Sequence, residues 1–144
     1  MLVQQILNAK PSSETVTIAP TATVAEASRL LTEKRIGAVV ISGDGASVEG
    51  MFSERDIVRE LARVGGGCLD RPVSDYMTRE VETCTRATSA AELLSRMTEG
   101  RFRHMPVVEN AALIGMVSIG DVVKAQLAEL AMEKDALEGM IKGY

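Results

Sequence analysis

Two short segments of the chain carry a serine and an aspartate with the spacing expected at the start of a helix. They are residues 53–56, with Ser53 and Asp56, and residues 118–121, with Ser118 and Asp121. Such an aspartate can accept hydrogen bonds from two adjacent hydroxyls, while the serine hydroxyl and exposed backbone N–H groups can meet a phosphate. A ribose 5′-phosphate offers both groups. The alternative is that each pair only caps its helix.

The two segments belong to a repeated unit. Residues 50–58 match residues 115–123 at an offset of 65, with the glycine, methionine, serine, aspartate and last valine identical. Upstream, Glu26, Thr32, Glu33 and Arg35 recur at an offset of 66. Helix capping is the simpler explanation for a single copy, but its repetition after the same strand end favours ligand binding.

The pattern within each unit predicts a strand, a helix, two strands and a second helix. Residues 15–18 alternate as a short strand, a helix starts near Thr23, and residues 38–41 form a nearly continuous apolar strand. A glycine-rich turn leads to a strand ending at Phe52, and a helix continues from Ser53 to Val64, before three glycines. The second unit is predicted to repeat this order from Val81 to beyond Asp121, with Pro72 opening a short helical turn between the units.

The bulk composition excludes several classes of function. The 144 residues are 46% hydrophobic and 25% charged, and the net charge of -4 disfavours a nucleic-acid surface. No apolar run reaches the ~18 residues of a membrane span, and residues 1–5 lack the basic start and apolar stretch of a signal peptide. We therefore expect a cytoplasmic protein without nucleic-acid or membrane partners. The single histidine, two dispersed cysteines and lack of a P-loop, GxGxxG or nucleophile–base pair predict no metal, no catalytic cofactor and no enzyme.

Both units resemble the CBS motif, named after cystathionine beta-synthase. The resemblance extends over residues 16–124 and rests on residues 23–27, 36–40, 50–56, 101–108 and 115–121. It implies an α+β fold in which two β-α-β-β-α motifs, residues 8–67 and 72–127, are related by a pseudo-twofold axis. These motifs form a single domain of residues 1–144, with a C-terminal helix extension at residues 128–144.

The resemblance also implies two clefts, which in that family hold AMP, ADP, ATP, a dinucleotide such as NAD(H), or S-adenosylmethionine. Asp56 and Asp121 would bind ribose hydroxyls, with Ser53 and Ser118 near ribose or phosphate. The other implied members are Val16, Ile36, Gly37 and Met116 for the Asp121 cleft, and Met51, Arg55, Val81, Phe102 and Arg103 for the Asp56 cleft. Apolar members would enclose the base.

Residues 101–104, Arg-Phe-Arg-His, form the most basic short stretch of the chain. They can be an ordinary surface turn. Alternatively, Arg103, together with Arg55 and His104, can neutralise a phosphate, because a guanidinium offers a planar fork of donors. The second motif has Ile119 and Gly120 where the first has Glu54 and Arg55, so we expect two unequal clefts with the stronger phosphate contact beside Asp56.

The last helix carries apolar residues at alternating spacings of four and three. They are Val123, Leu127, Leu130, Leu137 and Ile141, with Lys134 interrupting the series. This stripe can pack on its own domain or on a second copy in a homodimer.

Taken with the resemblance, the sequence predicts a stand-alone energy or redox sensor. It would bind AMP, ADP, ATP or NAD(H) and signal to an unidentified effector protein. The alternatives are an S-adenosylmethionine sensor and a structural dimerisation module without a physiological ligand.

Overall fold

The structure is a computed structural model that describes residues 1–11 and 15–143. The helices are α1 (Val3–Ala9), α2 (Val24–Lys34), α3 (Glu54–Val64), α4 (Ala90–Gly100) and α5 (Ile119–Ile141). The strands are β1 (Thr17–Ile18), β2 (Ala38–Ile41), β3 (Gly50–Ser53), β4 (His104–Glu109) and β5 (Ala112–Ser118). Two short 3₁₀ helices, Gly65–Asp70 and Val73–Asp75, connect the halves. Each half therefore contains a β-hairpin that leads directly into a helix.

The first half follows the predicted order of elements. β1 pairs in parallel with β2, which pairs antiparallel with β3. All four residues of β2 are buried, as expected of a central strand rich in valine. α2 begins after Thr23, whose side chain accepts a hydrogen bond from the Glu26 backbone N–H. The predicted strands and both predicted helices of this half are confirmed.

The second half differs from the prediction at its first strand. β4 and β5 form a two-stranded antiparallel sheet, but the strand predicted to start at Val81 is wrong. One parallel bridge, between Cys84 and Val107, takes its place. The side chain of Arg96 also holds this segment by donating to the Thr83 carbonyl at 2.9 Å.

The segment at the start of each half packs in the core of the other half. The backbone N–H of Val3 donates to the Thr88 carbonyl at 2.8 Å, and that of Val73 donates to the Ala22 carbonyl at 2.8 Å. Val3 and Ile6 of α1 lie in the core of the second half, and Val73 lies in the core of the first. The two halves are therefore joined by a reciprocal exchange. α1 was not predicted, because seven residues are too few for periodicity to identify a helix.

α5 continues without a break from the second motif into the C-terminal extension, and Val122 is its buried residue. The exposed fraction of the apolar stripe ranges from 47% at Val123 to 86% at Ile141. Within the part of the chain that the structure describes, the stripe therefore does not pack on its own domain, and that alternative from the sequence is wrong. None of the described helices combines the length and apolar character needed to cross a membrane.

Candidate functional site

A cavity of about 470 Å³ lies between the start of α3 and the segment that joins α4 to β4. Its volume falls in the range of ~300–1,000 Å³ that is common for small-molecule sites. The residues predicted for the Asp56 cleft all line this cavity, namely Met51, Ser53, Arg55, Asp56, Val81, Phe102 and Arg103. His104 and Gly37 line it as well. The resemblance assigns Gly37 to the other cleft, whereas the structure places it on this wall.

Both Ser–Asp pairs form capping boxes at their helices. In α3 the Asp56 N–H donates to Ser53 Oγ at 3.4 Å, and the Ser53 N–H donates to Asp56 Oδ2 at 2.8 Å. The same bonds join Asp121 and Ser118 at 3.0 and 2.9 Å. Capping thus explains why the aspartate is held in a single orientation, and it leaves Oδ1 for another partner.

Arg59 provides that partner for Asp56. Its Nη2 donates to Asp56 Oδ1 at 2.7 Å, so that both oxygens of the carboxylate are engaged. The Asp56 side chain is 8% exposed, while that of Arg59 is 56% exposed and lies on the cavity wall. The sequence interpretation missed Arg59. The available signal was its spacing, because residues three apart face each other on a helix.

Both motifs contribute charge to the cavity. Arg55 Nη1 lies 3.4 Å from the Arg101 carbonyl oxygen, so this guanidinium reaches from the first motif to the second. Arg103 is exposed on the opposite wall. Besides Asp56, the acidic residues that line the cavity are Glu54, Glu80 and Glu82, and Glu82 pairs with Arg96. Guanidinium groups from two motifs can therefore converge on one phosphate group of a ligand.

His104 lies between the two halves of the site. The ring packs closely on Gly37: a Cβ at position 37 would lie 3.3 Å from His104 Cε1, so any larger residue there would push the ring away. Burial lowers the pKa of His104, although the charges of Asp121 and Glu54 oppose that shift. A ring with a lowered pKa is mostly neutral at pH 7. The part of His104 in neutralising a phosphate stays a prediction, and the ring lines the same cavity as Arg55 and Arg103.

The second Ser–Asp pair has a different partner. Lys10 Nζ lies 3.0 Å from Asp121 Oδ2 and donates to the Met116 carbonyl oxygen at 2.6 Å. Burial raises the pKa of Asp121, but the hydrogen bonds from Ser118 and Lys10 outweigh it, and the net shift is downward. We expected weaker phosphate contact here because the motif itself lacks an arginine. The structure brings a cation to this place from the far end of the sequence.

The remaining predicted residues of the Asp121 cleft are Val16, Ile36 and Met116, and their part in a cleft stays a prediction. Val16 and Ile36 are partly buried against the core of the first half, and Met116 is the residue whose carbonyl binds Lys10. No cluster of three or more potential metal-ligating side chains occurs within residues 1–11 and 15–143. The structure thus assembles the Asp56 cleft as a cavity and ties the Asp121 carboxylate to a lysine.

Two α+β units, related by a repeat and joined around paired Ser–Asp helix starts, define a tandem motif pair of the kind that the sequence resembles. The family model for the CBS domain matches residues 3–63 and 73–128. The chain belongs to the CBS domain family.

Relatives support this assignment over most of the chain. The mitochondrial CBS domain-containing protein CBSX3 of Arabidopsis thaliana is 36% identical over 125 residues, which cover 84% of this chain and 61% of that protein. The chain thus spans less than two thirds of this relative.

Two solved structures share the fold. A CBS-domain containing protein from Agrobacterium tumefaciens is 42% identical, with a TM-score of 0.83 and coverage of 88% of this chain and 99% of that one. A CBS domain protein from Pyrobaculum aerophilum, complexed with AMP, is 27% identical, with a TM-score of 0.75 and coverage of 92% and 99%.

Proposed function

We propose that this protein is a regulatory module that binds an adenine nucleotide between its two CBS motifs and catalyses no reaction itself. The observation that carries the proposal is the composition of the Asp56 cavity. Asp56 and Ser53 come from one motif, whereas Phe102 and Arg103 come from the other. A ligand that touches both walls links the two motifs, and the AMP complex of the Pyrobaculum aerophilum relative supports an adenine nucleotide as that ligand.

Each part of a nucleotide has a matching group in the cavity. The base can lie against Val81 and Phe102, which are partly buried apolar residues of the second motif. The ribose hydroxyls can donate to Asp56, and a phosphate can accept from Arg55 and Arg103. Hydrogen bonds to a charged group contribute about 1.5 to 3 kcal/mol each, and micromolar binding needs about 8 kcal/mol. Contacts with the base and phosphate must therefore add to those of the carboxylate.

Binding changes the contact between the motifs, which is the basis of a sensor. Arg55 contacts the carbonyl of Arg101 across the cavity. A phosphate competes for this guanidinium, because a bond between two opposite charges is stronger than one to a neutral carbonyl. The relative position of the two motifs then depends on occupancy, and an effector protein reads that difference. AMP, ATP and NAD(H) are the ligands to compare, with S-adenosylmethionine as the alternative.

Calorimetric titration tests this proposal. AMP, ATP, NADH and S-adenosylmethionine are titrated into the wild-type chain, into Asp56→Asn, and into the control Asp135→Asn, which removes an exposed carboxylate on α5. We expect an adenosyl ligand to bind wild type and the control equally, and Asp56→Asn at least about tenfold more weakly. If no adenosyl ligand binds wild type, the proposal fails. Conversion of a ligand during incubation would contradict the absence of catalysis.

We also propose that a second copy of the chain covers the apolar stripe of α5. This stripe, which we call the α5 stripe, consists of Val123, Leu127, Leu130, Leu137 and Ile141. Alternating spacings of four and three are typical of helices that pack on an identical helix, because the same side chains meet across a twofold axis. α3, the corresponding helix of the first motif, exposes Val58, Leu61 and Val64. Both motifs therefore offer apolar helix surface to a partner.

A further inference from the structure

Lys10 is held in place at the end of α1. Its backbone N–H donates to the Leu7 carbonyl at 3.3 Å, and the Leu7 side chain packs against the backbone of Gly115. Val3 and Ile6 anchor the same helix in the core of the second half. The ammonium group therefore reaches Asp121 from a rigid base, while its four-carbon stem can still change direction.

The two clefts differ in the origin of the cation that holds the aspartate. Arg59 is on the same helix as Asp56, three residues further on. The corresponding residue of α5, at the offset of 65, is Lys124, yet the ammonium at Asp121 is that of Lys10. In the reciprocal exchange Val3 and Val73 make equivalent backbone bonds, and they are 70 residues apart. At the same offset the residue equivalent to Lys10 is Glu80, which lies on the wall of the Asp56 cavity. A positive group in one cleft thus stands where the other has a negative one.

A sugar that uses both oxygens of Asp121 must compete with Lys10. Oδ2 accepts from the Ser118 N–H and lies 3.0 Å from Lys10 Nζ, so one ribose hydroxyl can donate to Oδ1 while the adjacent hydroxyl must share Oδ2 with the ammonium. The two side chains are 27% and 26% exposed, so the ammonium can leave the carboxylate without any rearrangement of the core. Once displaced, the ammonium needs a new partner besides the Met116 carbonyl, because a partly buried charge without a counter-ion is unfavourable.

On the basis of the proposed nucleotide-binding function, we propose that Lys10 makes the Asp121 cleft selective for adenosyl ligands that carry a phosphate. A nucleoside whose two ribose hydroxyls engage both oxygens of Asp121 weakens the ion pair and offers the ammonium no new partner. A nucleotide replaces the carboxylate with its own phosphate as the partner of the ammonium. Lys10 thus acts as a specificity residue, since it penalises unphosphorylated ligands and rewards phosphorylated ones.

The test compares adenosine with AMP at this cleft alone. Titrations use Asp56→Ala as the parent, which weakens the first cleft, and then Lys10→Met and Lys10→Arg in the same background. Lys10→Met keeps the length of the stem without its charge. We expect it to bind adenosine more tightly than the parent does, and the preference for AMP over adenosine to fall about tenfold. Lys10→Arg should keep that preference within about twofold.

The outcomes separate this inference from the proposed function. An unchanged preference in Lys10→Met overturns the role of Lys10, even though the cleft binds nucleotides. If neither ligand binds the parent or Lys10→Met, the inference also fails, whereas the proposed function still stands or falls with wild-type binding at the Asp56 cavity. The amide resonances of Gly120 and Asp121 in the chain with Asp56 intact provide a second measurement. In Lys10→Met these resonances should shift at a lower adenosine concentration than in wild type. If both proteins need the same adenosine concentration, the inference is overturned.

Discussion

Arg59 Nη2 lies 2.7 Å from Asp56 Oδ1, so the carboxylate that we propose as the ribose ligand is already paired with a guanidinium from its own helix. The pair lies on the wall of the cavity and not beneath it. A sugar hydroxyl must therefore share or replace a hydrogen bond that exists before the ligand arrives. Arg59 thus neutralises a buried charge at the place where we propose that a ligand binds.

Loss of Arg59 is expected to destabilise the ligand-free protein. The Asp56 side chain is 8% exposed, and without Arg59 its Oδ1 loses a charged donor. We expect Arg59→Met to lower the free energy of unfolding by about 1 to 2 kcal/mol, measured by urea denaturation. Arg63→Met is the control. It removes one partner of Glu60, which still pairs with Arg59, so the free energy of unfolding should fall by less than in Arg59→Met. An equal loss in both variants would contradict this prediction.

His104 should titrate below the usual range for histidine. Burial lowers its pKa, and since it is the single histidine of the chain, its ring protons give one NMR titration curve. We expect a midpoint below the ordinary value of about 6.5. Asp121→Asn should lower the midpoint further, because Asp121 favours the protonated ring, while Asp135→Asn should leave it unchanged. A midpoint above the ordinary value would show that burial does not dominate.

The same shift makes stability depend on pH. Unfolding returns the imidazole to an ordinary pKa near 6.5, so below that pH the unfolded chain binds a proton more readily than the folded chain does. The free energy of unfolding should thus be highest above about pH 6.5 and fall as the pH decreases toward the folded pKa. Urea denaturation at several pH values measures this decrease. It should be smaller in His104→Gln, and an identical slope in that variant would contradict the assignment to His104.

Asp121 makes a second contribution at lower pH. Its pKa is lowered in the folded protein, because the hydrogen bonds from Ser118 and Lys10 outweigh burial. A carboxyl with a lowered folded pKa stabilises the fold above its unfolded pKa of about 3.9, and that stability is lost as the pH falls through the folded pKa. We expect Lys10→Met to reduce the loss of stability below about pH 4. If the free energy of unfolding of Lys10→Met falls with pH as steeply as that of wild type in this range, the Lys10–Asp121 pair makes no such contribution.

The α5 stripe predicts a change in mass in solution. With a second copy on the stripe, light scattering should give twice the chain mass of 15.4 kDa. Leu127→Glu places a charge in the stripe and should yield the monomer. Ala128→Glu introduces the same side chain at the next, exposed position of α5 and should leave the mass unchanged. A monomeric wild type, or a variant Leu127→Glu that stays dimeric, would refute this arrangement.

Local features of the chain were predictable from the sequence alone. The helix starts at Ser53 and Ser118 depend on bonds between residues three apart, and the β2–β3 hairpin depends on a glycine-rich turn between apolar strands. Because these interactions lie within a few residues of one another, their spacing is visible in a linear sequence. The repeat then identified the second motif, and the resemblance that followed implied the members of the Asp56 cleft.

Contacts between distant parts of the chain were decided by the tertiary structure. Nothing in the local pattern of α1 indicates that Lys10 reaches Asp121, and nothing near Thr83 in the sequence indicates that Arg96 donates to its carbonyl. Likewise, the spacing of the α5 stripe is the same whether the helix packs on its own domain or on a partner, and only the exposure of Leu127 distinguishes them. The sequence by itself determined which side chains sit at the helix starts. Asp56 meets Arg59 of its own helix. The charge that Asp121 meets depends on how the two halves exchange their leading segments, because electrostatic partners are set by distance in space.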